Sequence, residues 1–317
     1  MKHTRAVFAL FLVCLVSGFS FAQDNSSKEK DKKSNQKPVE IKANVTVLDA
    51  NGNLAGDVKL EDLKVLENGV EQKITYFAKK DPVLNLGFVV DNTGSMRTSL
   101  DEITEVSSLF LDNLRPADEA FIVRFVDSDI IETVEDWTSN KKLLNQALQN
   151  MYVEGGQSAV LDAIYLSAEK LLKREREDKS KRYAIVLISD VEDRASYYNF
   201  EQTIALFKET DLQVFIVSYA ENAVVRQKKK ARSLSHLLAL ETGGTIYSLP
   251  KKHSKQDVVN ALNGIAAELR SNYVIGYTST NQKRDGLERK VLVNVADSAK
   301  GEKRKGIMRE SFVVPKE

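Results

Sequence analysis

Leu84-Asn85-Leu86-Gly87-Phe88-Val89-Val90-Asp91-Asn92-Thr93-Gly94-Ser95 passes from a nearly unbroken apolar run straight into an oxygen-rich turn. The apolar part has the length and composition of a strand covered on both faces, as in a parallel sheet sandwiched between helices. A second such run, Ala184-Ile185-Val186-Leu187-Ile188, leads into Ser189 and Asp190. Across residues 83–272, strand-like runs at 84–90, 120–126, 183–189, 213–219 and 245–248 alternate with helical patterns near 100–114, 141–151, 159–173, 200–209, 230–242 and 255–270. In the first of these helices Ile103, Val106, Phe110 and Leu114 fall on one face, and Ser99 with Glu102 reads as a capping box. The alternation predicts an α/β domain with a doubly wound, mostly parallel sheet.

On either side the periodicity changes. Residues 39–80 carry short alternating stretches separated by turns at Asn51-Gly52-Asn53 and Asn68-Gly69, the pattern of antiparallel strands. About three strands in so short a segment make a weak core and need a partner sheet. Residues 273–317 supply one, with strand-like runs at 273–277, 290–295 and 310–314 around a polar turn at Arg284-Asp285-Gly286. The expectation is a smaller β domain built from both flanks, with the α/β domain inserted between its halves.

The chain opens with Lys2 and Arg5, an apolar run over 6–19 and the ending Ser20-Phe21-Ala22, the pattern of a secretory signal peptide over 1–22 cleaved between Ala22 and Gln23. The run is short for a bilayer span, and polar sequence follows at once. A secreted or periplasmic protein of the bacterial envelope is expected, with no integral membrane segment after cleavage. Residues 23–38 contain no aliphatic side chain and read as a disordered linker. The only cysteine, Cys14, lies in the leader, so the mature chain would have no disulfide and no thiolate metal site. Cleavage takes the 46 Lys+Arg to 44 against 45 Asp+Glu, a near-neutral balance that gives nucleic acid or an anionic membrane no general hold.

Ligands of doubly wound sheets bind at the carboxyl ends of the strands, and three polar groups fall there. The first is Asp91-x-Thr93-x-Ser95. The second is Gly155-Gly156-Gln157-Ser158, just before a helix. The third is Asp190, with Glu192 and Asp193 close behind. One by one these are ordinary helix caps and turns. Together, in this order, they make a set of hard oxygen donors suited to Mg2+, Ca2+ or Mn2+. After the leader only His236 and His253 remain as imidazoles, on separate segments, so a transition-metal site has no ligands. Mg2+ takes about six oxygens, and the set offers fewer, which leaves a position for an acidic group of a partner.

At this point the sequence resembles a von Willebrand factor type A domain, because Asp91-Asn92-Thr93-Gly94-Ser95 matches that family's metal-ion-dependent adhesion motif, Asp-x-Ser/Thr-x-Ser. The resemblance implies a Rossmann-like domain over 83–272 holding a divalent cation, usually Mg2+. It implies Asp91, Thr93 and Ser95 as first-loop ligands, Ser158 in the place usually held by Thr, and Asp190 as the distal acid. Val191 stands where the family frequently has Gly. The flanks resemble a narrower bacterial, acidobacterial-type subgroup, on the pattern Leu60-Glu61-Asp62-Leu63-Lys64-Val65-Leu66-Glu67-Asn68-Gly69 before the domain and Tyr273-Val274-Ile275-Gly276-Tyr277 after it.

The function expected is a cation-dependent adhesion or scaffold module that binds a protein partner through its acidic side chain, and not an enzyme. Two alternatives stay open. One is a structural scaffold with a vestigial metal site, which Ser158 and Val191 keep alive. The other is Mg2+-dependent phosphoryl transfer, disfavoured because Thr93 stands where an aspartyl-phosphate enzyme places its second acid and because no phosphate-cradling Gly-Lys loop is present. Lys228-Lys229-Lys230 with Arg232 reads as a solvated helix start. Trp137, Tyr197 and Tyr198 read equally as core packing or partner anchors. Asp162 reads as support for the Ser158 loop.

Overall fold

The computed structural model describes residues 37–316 apart from 179, 180, 209, 211, 222, 224, 271 and 315. The expected signal peptide and most of the expected linker lie outside the described residues. In chain order the elements are β1 (Glu40–Asp49), β2 (Leu63–Glu67), β3 (Val70–Gln72), β4 (Ile74–Lys80), β5 (Leu84–Asp91), α1 (Leu100–Asp112), β6 (Glu119–Phe125), β7 (Ile131–Thr138), α2 (Lys141–Gln149) and α3 (Val160–Glu177). There follow β8 (Arg182–Ser189), α4 (Phe200–Phe207), β9 (Gln213–Ser218), α5 (Val225–Thr242), β10 (Ile246–Ser248), α6 (Lys255–Arg270), β11 (Asn272–Thr278), β12 (Glu288–Val295), β13 (Arg304–Ile307) and β14 (Ser311–Val313).

The central sheet runs β10-β9-β8-β5-β6-β7, parallel throughout except for β7. Every residue of β5 and of β8 is buried, which is why both read as continuous apolar runs. One face packs Phe88, Val90, Val186 and Phe215 against α1, α2 and α6. The other packs Val89, Phe121, Ile185 and Ile216 against α3, α4 and α5. From β5 the chain winds outward through β6 and β7, then crosses back to β8 and proceeds the opposite way. The order therefore reverses between β5 and β8, where a crevice opens at the carboxyl ends of the strands.

Two four-stranded antiparallel sheets, β13-β1-β11-β4 and β14-β12-β2-β3, are built from both flanks of the chain. β1 pairs with β11, and β2 with β12. They share one cluster containing Val45, Val65, Tyr273, Ile275, Val291 and Phe312. Arg289 is buried within it, its guanidinium facing Glu67 Oε1 at 3.2 Å and donating to the carbonyl of Asn281 at 2.5 Å.

Three local expectations change. β7 is an additional strand that the apolar runs do not reveal: Ile131-Glu132-Thr133-Val134-Glu135-Asp136-Trp137-Thr138 lies at the sheet edge, largely half-buried, and such edges carry charge. β13, short and basic, is likewise extra. The capping box at α1 does not form. Ser99 makes no side-chain cap, and the Glu102 carboxylate turns to the Tyr219 hydroxyl at 3.3 Å and His253 Nε2 at 3.1 Å.

Candidate metal centre

Asp91 ends β5 and is fully buried. Its Oδ1 accepts from the Thr93 N–H at 2.9 Å and the Thr93 hydroxyl at 2.7 Å, so the carboxylate organises its own loop. Thr93 Oγ1 lies 2.9 Å from Ser95 Oγ. Gly94 and Ser95 are exposed while Asp91, Asn92 and Thr93 are not, so the loop meets solvent at Ser95.

Hydrogen bonds tie the three loops together. The Glu154 N–H donates to the Asn92 carbonyl at 2.9 Å, and Asn92 Nδ2 to the Tyr152 carbonyl at 2.9 Å, which fixes the segment leading to Ser158 beside the first loop. The N–H groups of Arg194 and Ala195 donate to the Ser158 carbonyl at 3.0 and 3.1 Å, which joins the second loop to the third. Ser189 closes the ring: its hydroxyl donates to Asp91 Oδ2 at 2.6 Å and accepts from the Val191 N–H at 2.8 Å. Sequence reasoning passed over Ser189, whose only signal was its position between a buried strand and Asp190. Asp162, expected to support the Ser158 loop, acts on the third loop instead, accepting from the N–H groups of Tyr197 at 2.9 Å and Tyr198 at 2.8 Å.

Two carboxylates are buried together here. Asp91 is pushed up from 3.8 to about 7, by burial first and by the neighbouring Asp190 charge second, against hydrogen bonds from Ser189 and Thr93. Asp190 is raised as well, by burial first, with the Glu192 N–H and the Ser95 hydroxyl holding it back. Asp190 Oδ2 and Ser158 Oγ are buried without a protein partner. An unsatisfied carboxylate oxygen within a repelling buried pair is what a hard cation would relieve, so the donor set fits one. Among the described residues, no three His, Cys, Asp or Glu side chains come together as a metal group, so the set depends on hydroxyls for its remaining donors.

The two positions at which the sequence departs from the expected motif both take a left-handed backbone. Ser158 has φ +61° and Val191 φ +56°. A β-branched residue is strained there, and Val191 is fully buried, so the packed loop holds it in a path that Gly would follow freely.

The aromatic candidates separate. Trp137, half-buried, packs edge-on to Phe121 at 4.7 Å under the Arg174 guanidinium, against the rim of the core. Tyr198 stacks on Tyr165 at 3.6 Å, while Tyr197 stands 81% exposed against its edge.

The order reversal, the loop at the end of β5 and the acid at the end of β8 define a doubly wound α/β domain with a polar site at its switch point. Residues 86–192, about a third of the chain, match the sequence model of the von Willebrand factor type A domain. No curated protein matches the chain. Among solved structures it is similar to a von Willebrand factor type A protein from Catenulispora acidiphila, at 11% identity over 88% of this chain and 73% of that one, with a TM-score of 0.46. It is similar also to an aerotolerance-related membrane protein from Bacteroides fragilis, at 18% identity over 59% of this chain and 98% of that one, TM-score 0.44. A third is the PilB minor pilin of Streptococcus sanguinis, at 11% identity over 60% of this chain and 62% of that one, TM-score 0.45. Among the described residues no helix is long and apolar enough to cross a membrane.

Proposed function

We propose that this is an exported, divalent-cation-dependent protein-binding module. Asp91, Thr93, Ser95, Ser158 and Asp190 hold Mg2+, or Ca2+ or Mn2+ in its place, and the cation takes an acidic side chain of a protein partner as a further ligand. The observation that carries this reading is the buried pair Asp91 and Asp190, in which Asp190 Oδ2 has no hydrogen-bond partner. Domains of this family generally mediate protein–protein interaction, and the bound ion would supply Lewis acidity toward a carboxylate. Export rests on the leader pattern over 1–22.

Binding is favoured over catalysis by the state of Asp91. Thr93 and Ser189 fix its carboxylate in one orientation, and Thr93 stands where a phosphoryl-transfer enzyme would place its second acid. The test is capture of envelope proteins on the immobilised chain, with Mg2+ and with chelator. The expected result is a partner retained only with the cation and lost in Asp91→Ala. A partner held equally with chelator and by Asp91→Ala would support the scaffold alternative instead.

A further inference from the structure

The face that carries the candidate metal centre is divided by charge. β9 and β10 run parallel to β8 and β5, so the segments following all four strands open on the same side. After β9 the start of α5 carries Arg226, Lys228, Lys229 and Lys230, and after β10 come Lys251 and Lys252. Arg97 follows the metal loop itself. Lys228 and Arg232 are neutralised by Glu221. Arg97, Arg226, Lys229, Lys230, Lys251 and Lys252 are exposed and form no ion pair among the described residues. The first turn of α5 has no acid, so Arg226 and Lys228 there oppose the helix dipole, an arrangement that an anion lying over them turns from unfavourable to favourable. The segment bearing Lys251 and Lys252 is tied to α1, directly after the metal loop, through His253 Nε2 and Glu102 Oε1 at 3.1 Å. On the far side, beyond β6, the same face carries Asp127 and Asp129, while Glu154 is paired with Arg124. A near-neutral chain thus concentrates positive charge on one flank of the site.

We infer that the partner presents an acidic segment, one carboxylate of which sits on the cation while its neighbours lie over the basic rim formed by Lys229, Lys230, Lys251 and Lys252. This rests on the cation-binding reading. β9 stands two strands from β5, about 10 Å away, a distance that a few extended residues span. The acidic far flank repels the same segment and fixes its direction across the face.

The probe is a fluorescein-labelled decaglutamate peptide, with decaglutamine as control, followed by anisotropy with the full chain in Mg2+. The variant Lys229→Glu/Lys230→Glu/Lys251→Glu/Lys252→Glu changes only exposed side chains, and its Mg2+ thermal shift reports whether the metal centre is intact. Decaglutamate should bind the wild type and decaglutamine should not. Affinity should fall at least about tenfold in the charge-reversed variant, and fall with added salt, while the Mg2+ shift stays as in wild type. Asp91→Ala should weaken binding in Mg2+ but keep the salt dependence. Equal decaglutamate binding by the reversed variant overturns the inference, as does failure of the peptide to bind where phosphatidylglycerol vesicles do. If Asp91→Ala changes nothing while charge reversal abolishes binding, the rim stands and the cation reading falls.

Discussion

Replacing Asp190 by Asn should stabilise the metal-free protein and destabilise it relative to wild type once Mg2+ is added. In the metal-free chain Asp91 is raised from 3.8 to about 7, with burial the largest cause and Asp190 the next. A group held higher in the folded than in the unfolded chain gives its full stabilisation below its unfolded value and loses it as pH rises through its folded value. For Asp91 that window opens above the ordinary carboxylate range and closes as pH rises through about 7. Asp190→Asn removes the repulsion and one buried charge while keeping an acceptor for the Glu192 N–H, so at pH 8 it should recover part of the lost stability, about 1–2 kcal/mol. That corresponds to a rise in Tm of roughly 2–8 °C for a chain of this size. Saturating Mg2+ at about a hundred times Kd stabilises the wild type by about 2.7 kcal/mol and the variant by much less, reversing the order. Differential scanning fluorimetry from pH 4 to 9, with EDTA and with Mg2+, reads both effects. An Asp190→Asn protein less stable than wild type in EDTA, yet equally stabilised by Mg2+, would refute the reasoning.

Ser158→Ala removes a buried hydroxyl that has no protein partner, so Tm in EDTA should hold within about 2 °C while the Mg2+ concentration needed for half the thermal shift rises about tenfold. Arg289→Ala leaves Glu67 buried and unpaired, and urea unfolding should show a loss of about 3–5 kcal/mol with Mg2+ affinity unchanged. Gly244→Ala places a Cβ 2.0 Å from the Val214 carbonyl oxygen, which cannot yield, and soluble expression with a cooperative melt should be lost or the melt shifted down by many degrees.

The parts of the fold legible from sequence are those whose burial is uniform. β5 and β8 are buried at every position, so their apolar runs stand out and place Asp91 and Asp190 at strand ends. β7 was not legible because an edge strand is half-solvated and Glu132, Glu135 and Asp136 break its pattern. The failed cap at α1 has a long-range cause: Glu102 is drawn to Tyr219 and His253, which arrive from the loops after β9 and β10. At the site, spacing alone pointed to Asp91, Thr93 and Ser95. The role of Ser189 as the bridge from Asp91 to the Val191 backbone depends on the side-by-side placement of β5 and β8, which no local window contains. The left-handed turns at Ser158 and Val191 were equally hidden, since neither residue type announces a positive φ.

Everything proposed for the site depends on a cation held by the loops ending β5 and β8. Isothermal titration calorimetry of Mg2+ into EDTA-stripped, dialysed protein, wild type beside Asp91→Ala, addresses it directly. A single saturable site is expected in the wild type and none in Asp91→Ala. Absence of saturable heat in the wild type, repeated with Mn2+ and Ca2+, or an identical isotherm from Asp91→Ala, would contradict it.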